Sequence, residues 1–395
     1  LKQHLNRQQK QAVEQRRGTH QFRQRQVIKR DSDSPQYLWV DGKKYLNFSS
    51  NDYLGFSCHP AIIQSWQNAA MSEGLGSGGS PLITGYHAAH ASLEETLCDF
   101  LNVQDVLLFN CGFSANQAFI KTMVSAETTL IQDKLNHASM IDAGMALPGQ
   151  MKRFRHNDLA HLKQRLLQSG SNKLIATEGV FSMDGDVAPI SEIFDLADEH
   201  QACVYIDDAH GFGVLGLQGC GSISAAGKQT HEATGYMATF GKALGTSGAC
   251  LALPSDVKEY FIQFCRPYIY STAMSIPQAA ATQTAIEVLQ KESEHQQKLS
   301  ENIQTFRKLA KQAGLSLMNA SSAIQPVIFQ TDEQAKTASQ VLKRAGLWCH
   351  AVLPPTVPAG SARLRVTITA SHQEADIQQL ISFLSEAVHD TFCIG

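Results

Sequence analysis

The chain has 395 residues, 43% of them hydrophobic, and a formal net charge of −3. That is the balance of an ordinary globular protein of about two domains, with enough apolar material for a sizeable core. No apolar run approaches the ~20 residues needed to cross a bilayer, and the Gln- and Arg-rich N-terminus lacks the apolar centre of a secretory signal; a cytoplasmic protein with no membrane partner is expected.

Taken in chain order, residues 1–30 carry nine Lys or Arg against the single acid Glu14, a balance of +8 that leaves −11 for the rest. Such an arm suits nucleic acid, the phosphates of a coenzyme thioester, an acidic carrier protein, or the acidic face of a neighbouring subunit. Nothing further along favours nucleic acid, and none is expected as a partner. Residues 37–48 read as two short strands around the turn Asp41-Gly42.

From residue 86 onward helical and strand patterns alternate. Leu93, Leu97, Phe100 and Leu101 recur at helical spacing, and the apolar run 105–109 follows as a strand. Further strands are expected at 129–131, 174–177, 202–206 and 236–240. Most are continuous apolar runs, as in a mainly parallel sheet with helices on both faces, and 249–253 follows so closely that it should return antiparallel. The fold class is therefore α/β, doubly wound. A long helical stretch over 275–310, strands at 324–328 and 364–368 and a helix near 333–345 add a smaller α+β domain. The expected division is 1–50 for arm and hairpin, 51–285 for the large domain and 286–395 for the small one. The nine cysteines are dispersed, with no Cys-x-x-Cys and no Cys/His set at zinc spacing, so reduced thiols and no metal site are expected.

One lysine stands out. Lys242 lies in Thr239-Phe240-Gly241-Lys242-Ala243-Leu244-Gly245, among glycines and small residues that would leave its amine beside bare backbone, open to a flat aromatic aldehyde. Alone, the same segment describes a solvated loop. A pyridoxal phosphate site also needs a phosphate cradle, an acid for the ring nitrogen, a residue stacked on the ring and a cation for the substrate carboxylate. Each has a candidate. Asn110 to Gln117, with Gly112, reads as a strand ending where a helix begins, a favourable place for an anion. Asp207 closes the apolar run 204–206, at the strand end where open α/β sheets hold ligands, and His210 follows it. His137 follows another strand and would stack on a flat ring. Arg365 sits inside an apolar strand, where its guanidinium needs an anion, either a substrate carboxylate or an internal acid.

The segments Asn47-Phe48-Ser49-Ser50-Asn51-Asp52-Tyr53-Leu54-Gly55, Gly76-Ser77-Gly78-Gly79-Ser80, Glu178-Gly179-Val180-Phe181-Ser182-Met183-Asp184-Gly185, Asp207-Asp208-Ala209-His210-Gly211 and Thr239-Phe240-Gly241-Lys242 together resemble the α-oxoamine synthase family. The likeness runs in order through nearly the whole chain, to Pro354-Pro355-Thr356-Val357-Pro358. It implies a fold-type I pyridoxal phosphate enzyme acting as a homodimer. On the matched positions Lys242 would bond the cofactor and later move the proton at Cα, Asp207 would pair with the ring nitrogen, and His137 would stack on the ring. Ser182 and His210 would contact the ring oxygen, Gly112, Phe113 and Thr239 would hold ring or phosphate, and Thr272 would reach the phosphate from the other subunit. Arg365 would take the amino-acid carboxylate, with Asn51, Arg23 and Thr356 lining the substrate and acyl pocket. The likeness is to the biotin-pathway members, which condense L-alanine with a pimeloyl thioester, on coenzyme A or an acyl-carrier protein, with loss of carbon dioxide. Glycine C-acetyltransferase, 5-aminolevulinate synthase and serine palmitoyltransferase types are the alternative. Leu353 departs from members that carry Arg before the Pro-Pro pair.

Overall fold

The computed structural model describes residues 2–18, 22–31, 33–147 and 149–392. The basic arm opens as helix Lys2–Gly18, whose described side chains are exposed, and Arg17 pairs with Glu14 at 2.6 Å. Strands β1 (Lys29–Arg30), β2 (Tyr37–Val40) and β3 (Lys43–Asn47) form an antiparallel ribbon, with Asp41 and Gly42 at positive φ in the turn.

Seven strands make the central sheet: β4 (Asp105–Phe109), β5 (Thr129–Asp133), β6 (Gln150–Phe154), β7 (Lys173–Glu178), β8 (Cys203–Asp207), β9 (Gly235–Thr239) and β10 (Ala249–Leu253). Their spatial order is β4-β10-β9-β8-β7-β5-β6, and only β10 runs against its neighbours. Successive residues enter different cores. Leu130, Leu174, Ala176 and Tyr205 join one apolar cluster, whereas Ile131, Ile175, Val204 and Ile206 join another. Both faces are covered, which is why these strands are continuous apolar runs rather than alternating ones. The strand β6, Gln-Met-Lys-Arg-Phe, escapes that reading because it lies at the sheet edge with charged residues in it.

The helical stretch expected over 275–310 is two helices, Ile276–Lys291 and Glu294–Gln312, broken at Glu292 (φ −114°, ψ 70°). They join one apolar cluster but pack on different helices. The first packs on helices Pro60–Glu73 and Ala88–Leu101 beside the central sheet, and the second packs on helix Glu374–Phe392. A small antiparallel sheet in the order β11-β14-β13 follows, from β11 (Ile324–Ile328), β12 (Leu347–Trp348), β13 (Ala351–Val352) and β14 (Arg363–Thr367), with β12 outside it. Instead β12 pairs parallel with β3, and Trp348 packs with Leu38, Val40 and Tyr45, so the N-terminal hairpin is bound to the C-terminal part of the chain. Among the described residues no helix is long and apolar enough to cross a membrane.

Candidate active site

The parallel strands end on one side of the sheet, and their last residues or following turns converge there. This is where an open α/β sheet offers free backbone groups and a crevice. Strand β7 ends in Glu178, β8 in Asp207 and β9 in Thr239, while β4 leads to Gly112 and β5 to His137. A cavity of about 200 Å³ is lined by Gly112, Phe113, His137, Asp207, His210 and Lys242, with Thr239 and Glu178.

Lys242 stands on the loop between β9 and β10, held down by a close approach. Gly245 has φ +65°, and a Cβ there would run into the backbone of Phe56 and Ser57. Only glycine accepts both the conformation and the contact. The Lys242 amine lies 2.8 Å from His210 Nε2, and His210 Nδ1 lies 2.6 Å from the Tyr53 hydroxyl. Burial pushes the Lys242 amine down to about 8, against the upward pull of Asp207 and Glu178. Burial, with the charges of Lys242 and Arg365, also holds His210 well below the usual imidazole range, so it is a neutral ring.

Asp207 is 3% exposed and fully engaged: Asn116 Nδ2 donates to it at 2.7 Å and the Ala209 amide at 3.1 Å. Its neighbour Asp208 turns away from the cavity to accept from the Ser222 amide and the Tyr236 hydroxyl, and burial lifts it to about 6. Asn116 links Asp207 to the stacking candidate. It also donates to Ser139 Oγ at 2.8 Å, and that hydroxyl lies 2.7 Å from His137 Nδ1. The Ser139 amide donates to the same ring nitrogen at 3.3 Å, which caps helix Ala138–Met145. An amide can only donate, so Nδ1 is the acceptor and Nε2 of the neutral ring carries the proton.

Helix Gly112–Met123 begins without a side-chain cap, leaving its first amides free for an anion. A Cβ on Gly112 would press on Met237 at 3.3 Å and Thr239 at 3.6 Å, so the missing side chain lets the helix start sit close to β9. The Thr239 hydroxyl donates to the Gly248 carbonyl at 2.9 Å, and the Phe113 ring meets the His137 ring edge-on at 6.3 Å.

Arg365 lies beside this group on β14. Its Nε donates to the Ser182 carbonyl at 2.6 Å and its Nη1 to Asn51 Oδ1 at 3.2 Å and Thr367 at 3.1 Å. Among the described residues no carboxylate pairs with it, whereas Arg363, two residues earlier, is paired with Asp184. Thus Asn51, Ser182 and Arg365 are brought together. Arg23 and Thr356 form a separate pair, 3.5 Å apart, in a cavity of about 320 Å³ that Met183, next to Ser182, also lines. Thr272 is exposed, and its carbonyl accepts from Asn110 Nδ2 at 2.7 Å.

Sequence reasoning assigned no role to Glu178, Tyr53, Asn116 or Ser139. Glu178 is 2% exposed, and burial and the Asp207 charge raise it well above the usual carboxylate range. Its Oε2 accepts from the Ser182 amide at 3.3 Å, while its Oε1 has no partner among the described residues. Position within the quoted segments was the only signal for Glu178, Tyr53 and Asn116, and Ser139 had only its place two residues after His137.

The comparisons with known proteins agree with this geometry. Residues 43–384 match the model for aminotransferase class I and II. The chain belongs to that family, in its α-oxoamine synthase branch. Within the aminotransferase class I and II family it is 44% identical, over 96% of this chain and 97% of the relative, to the 8-amino-7-oxononanoate synthase of Photobacterium profundum. It is also 44% identical to that of Vibrio cholerae over 94% of each. Among solved structures it resembles a serine palmitoyltransferase from S. paucimobilis with pyridoxal phosphate and myriocin bound, with a TM-score of 0.89, 30% identity and 93% of both chains covered. An 8-amino-7-oxononanoate synthase from Francisella tularensis gives a TM-score of 0.78 at 25% identity, covering 88% of this chain and 99% of that one.

Pyridoxal phosphate is the cofactor of this fold, and the residues present fit it. An uncapped helix start suits its phosphate, a buried carboxylate its ring nitrogen and a partly buried amine its aldehyde, and all three line one cavity.

Proposed function

We propose that this chain is an acyltransferase that condenses L-alanine with a pimeloyl thioester, on coenzyme A or an acyl-carrier protein, to give 8-amino-7-oxononanoate, carbon dioxide and free thiol in biotin biosynthesis. What carries the reading is 44% identity, over nearly the whole chain, to enzymes of that name. The cavity supports it, as does Arg365 beside it, which pairs with no carboxylate among the described residues. The working unit is a cytoplasmic homodimer.

Pyridoxal phosphate, when bound, supplies an aldehyde that takes up the amine of alanine and a ring that accepts the electron pair left at Cα. Lys242 would bond the cofactor between turnovers. Asp207, fixed by Asn116 and the Ala209 amide, would pair with the ring nitrogen and keep it protonated. The first amides of helix Gly112–Met123, with Thr239, would take the phosphate from this chain, and Thr272 would take it from the partner subunit. Ser182 and His210 would contact the ring oxygen.

Arg365, held by Ser182 and Asn51, binds the alanine carboxylate. Lys242, released to a free amine, removes the Cα proton, with His210 at 2.8 Å to orient it. Cα of alanine then bonds to the thioester carbonyl carbon. His137 would stack on the ring, with its Nε2–H free to donate to the carbonyl oxygen as charge develops there. The thiolate leaves, the alanine carboxylate departs as carbon dioxide, and Lys242 returns a proton to Cα. The pimeloyl chain runs toward the cavity of Arg23 and Thr356.

The test is mass spectrometry of products from alanine, glycine and serine offered with acetyl, succinyl, pimeloyl and palmitoyl thioesters. The expected result is 8-amino-7-oxononanoate from alanine and the pimeloyl donor alone. A palmitoyl product from serine would favour a serine palmitoyltransferase type, a reading motivated by the TM-score of 0.89. Amino transfer to a keto acid with no thioester present would defeat both.

A further inference from the structure

Outside the cavity, a second constellation forms where the two long helices meet. His59 precedes helix Pro60–Glu73, Glu292 is the break between helices Ile276–Lys291 and Glu294–Gln312, and His295 lies in the first turn of the latter. His59 Nε2 is 3.2 Å from Glu292 Oε2, and His295 Nε2 is 3.4 Å from the same oxygen. The Phe56 ring stands edge-on to both imidazoles, at 5.9 and 5.0 Å, and fixes their planes.

The hydrogen-bond inventory leaves a charge missing. His295 Nδ1 lies 3.1 Å from the Leu54 carbonyl oxygen, which can only accept, so Nδ1 carries the hydrogen. In the neutral ring, Nε2 then presents a bare lone pair to a carboxylate oxygen. Two lone pairs do not face each other at that distance unless something positive sits beside them. Among the described residues no Lys or Arg pairs with Glu292 to supply it. The cluster of His156, Asp184 and Asp186 differs, because Arg363 neutralises Asp184 and His156 contacts two carboxylates.

A metal ion fits the gap. Metal–ligand bonds of about 2.0–2.1 Å in a tetrahedron place neighbouring ligand atoms about 3.3–3.4 Å apart. The two separations measured here, 3.2 and 3.4 Å, match that edge, and all three ligand atoms lie within 4.8 Å of one another. Two imidazoles and one carboxylate are a donor set that suits zinc, and His295, whose other nitrogen donates to the Leu54 carbonyl, is held as a ligating ring usually is, while His59 Nδ1 is buried with no partner among the described residues. The side chains are 16%, 36% and 30% exposed, which leaves access for the ion and for a water as fourth ligand.

We propose that His59, Glu292 and His295 form a divalent-metal site, suited to zinc, which pins the start of helix Pro60–Glu73 to the junction of the two long helices. The site is independent of the catalytic reading. It stiffens the segment 51–59, which also supplies Tyr53 to His210 and Asn51 to Arg365 and backs Gly245 of the lysine loop.

The experiment uses holoenzyme stripped of metal by a chelator and freed of excess cofactor, titrated with Zn²⁺ by calorimetry and with Co²⁺ by visible absorption. One equivalent per chain, a tetrahedral Co²⁺ spectrum and a metal-dependent rise in Tm are expected. His59→Ala, His295→Ala and the isosteric Glu292→Gln should each weaken binding by more than the roughly tenfold that loss of a ligand's hydrogen-bond partner costs. Retained cofactor absorbance in Glu292→Gln shows that this variant is folded. Absence of stoichiometric binding overturns the proposal, as does binding unchanged in Glu292→Gln and both histidine variants. So does a His295 ring that NMR finds protonated on both nitrogens at neutral pH after metal is added, since a proton would then fill the gap.

Discussion

At the scale of single residues, the site depends on groups whose ionisation the fold has altered. The Lys242 amine, driven down to about 8 by burial, becomes neutral as pH rises through that value instead of near 10.5. Uptake of pyridoxal phosphate by the apo-protein, followed by visible absorbance, should therefore accelerate across about pH 8. Lys242→Ala should bind the cofactor without bonding it and lose roughly a thousandfold in turnover. Arg365 makes a second residue-scale test. Among the described residues its acceptors are neutral, so its substitution removes charge-assisted bonds to substrate without breaking an internal ion pair seen there. Arg365→Lys should raise the KM for alanine by roughly ten- to hundredfold while leaving the thermal melting curve nearly unchanged.

At the scale of elements, the loops of the site are held by polar clamps as well as by apolar packing. His156, on the loop after β6, bonds Asp133 at the end of β5 at 3.1 Å and Asp186 of the turn after β7 at 2.8 Å. Its ring stands on Phe181, next to Ser182. Burial alone would lower this imidazole, but the two carboxylates lift it to about 10. Its folded pKa thus lies above the unfolded value of about 6.5, so its stabilisation is whole below about pH 6.5 and is lost as pH rises through about 10. His156→Gln should cost about 2–3 kcal/mol at pH 6, less than a fully buried pair because the ring is partly exposed. Urea unfolding of both proteins should show that difference shrinking toward pH 10. Invariance of the difference with pH would mean that the clamp is not ionic.

At the scale of the whole molecule, the proposed homodimer makes a quantitative prediction. If Thr272 serves the partner subunit's site, a Lys242→Ala chain and a Thr272→Asp chain are each inactive alone. Random reassembly of equal amounts should restore about a quarter of wild-type activity, because half the dimers are hybrids and each hybrid has one intact site. Recovery near zero would instead place Thr272 in its own chain's site. The pairing of β12 with β3 has a similar reach, since it ties the N-terminal hairpin to the far end of the chain and so holds the segment that carries Asn51 and Tyr53.

The sequence by itself determined the α/β class, most strands of the central sheet and the antiparallel return of β10, because strands buried on both faces must be apolar throughout. It also marked Lys242, Asp207, His137 and Arg365, since each breaks an apolar or glycine-rich setting with a chemically active group. It did not show β6, whose edge position tolerates charge, nor the break at Glu292, where the chain passes from packing on helices Pro60–Glu73 and Ala88–Leu101 to packing on helix Glu374–Phe392. Only the tertiary structure decided that Asp208 turns away to Ser222 and Tyr236, and, among the described residues, that Arg365 lacks a carboxylate partner and that the buried Glu178 has an oxygen without a partner. The same is true of His59 and Glu292, 233 positions apart yet 3.2 Å from contact partner to partner. Local sequence reports what a residue is, whereas the environment that shifts its charge or completes its ligand set comes from chain segments brought together by folding.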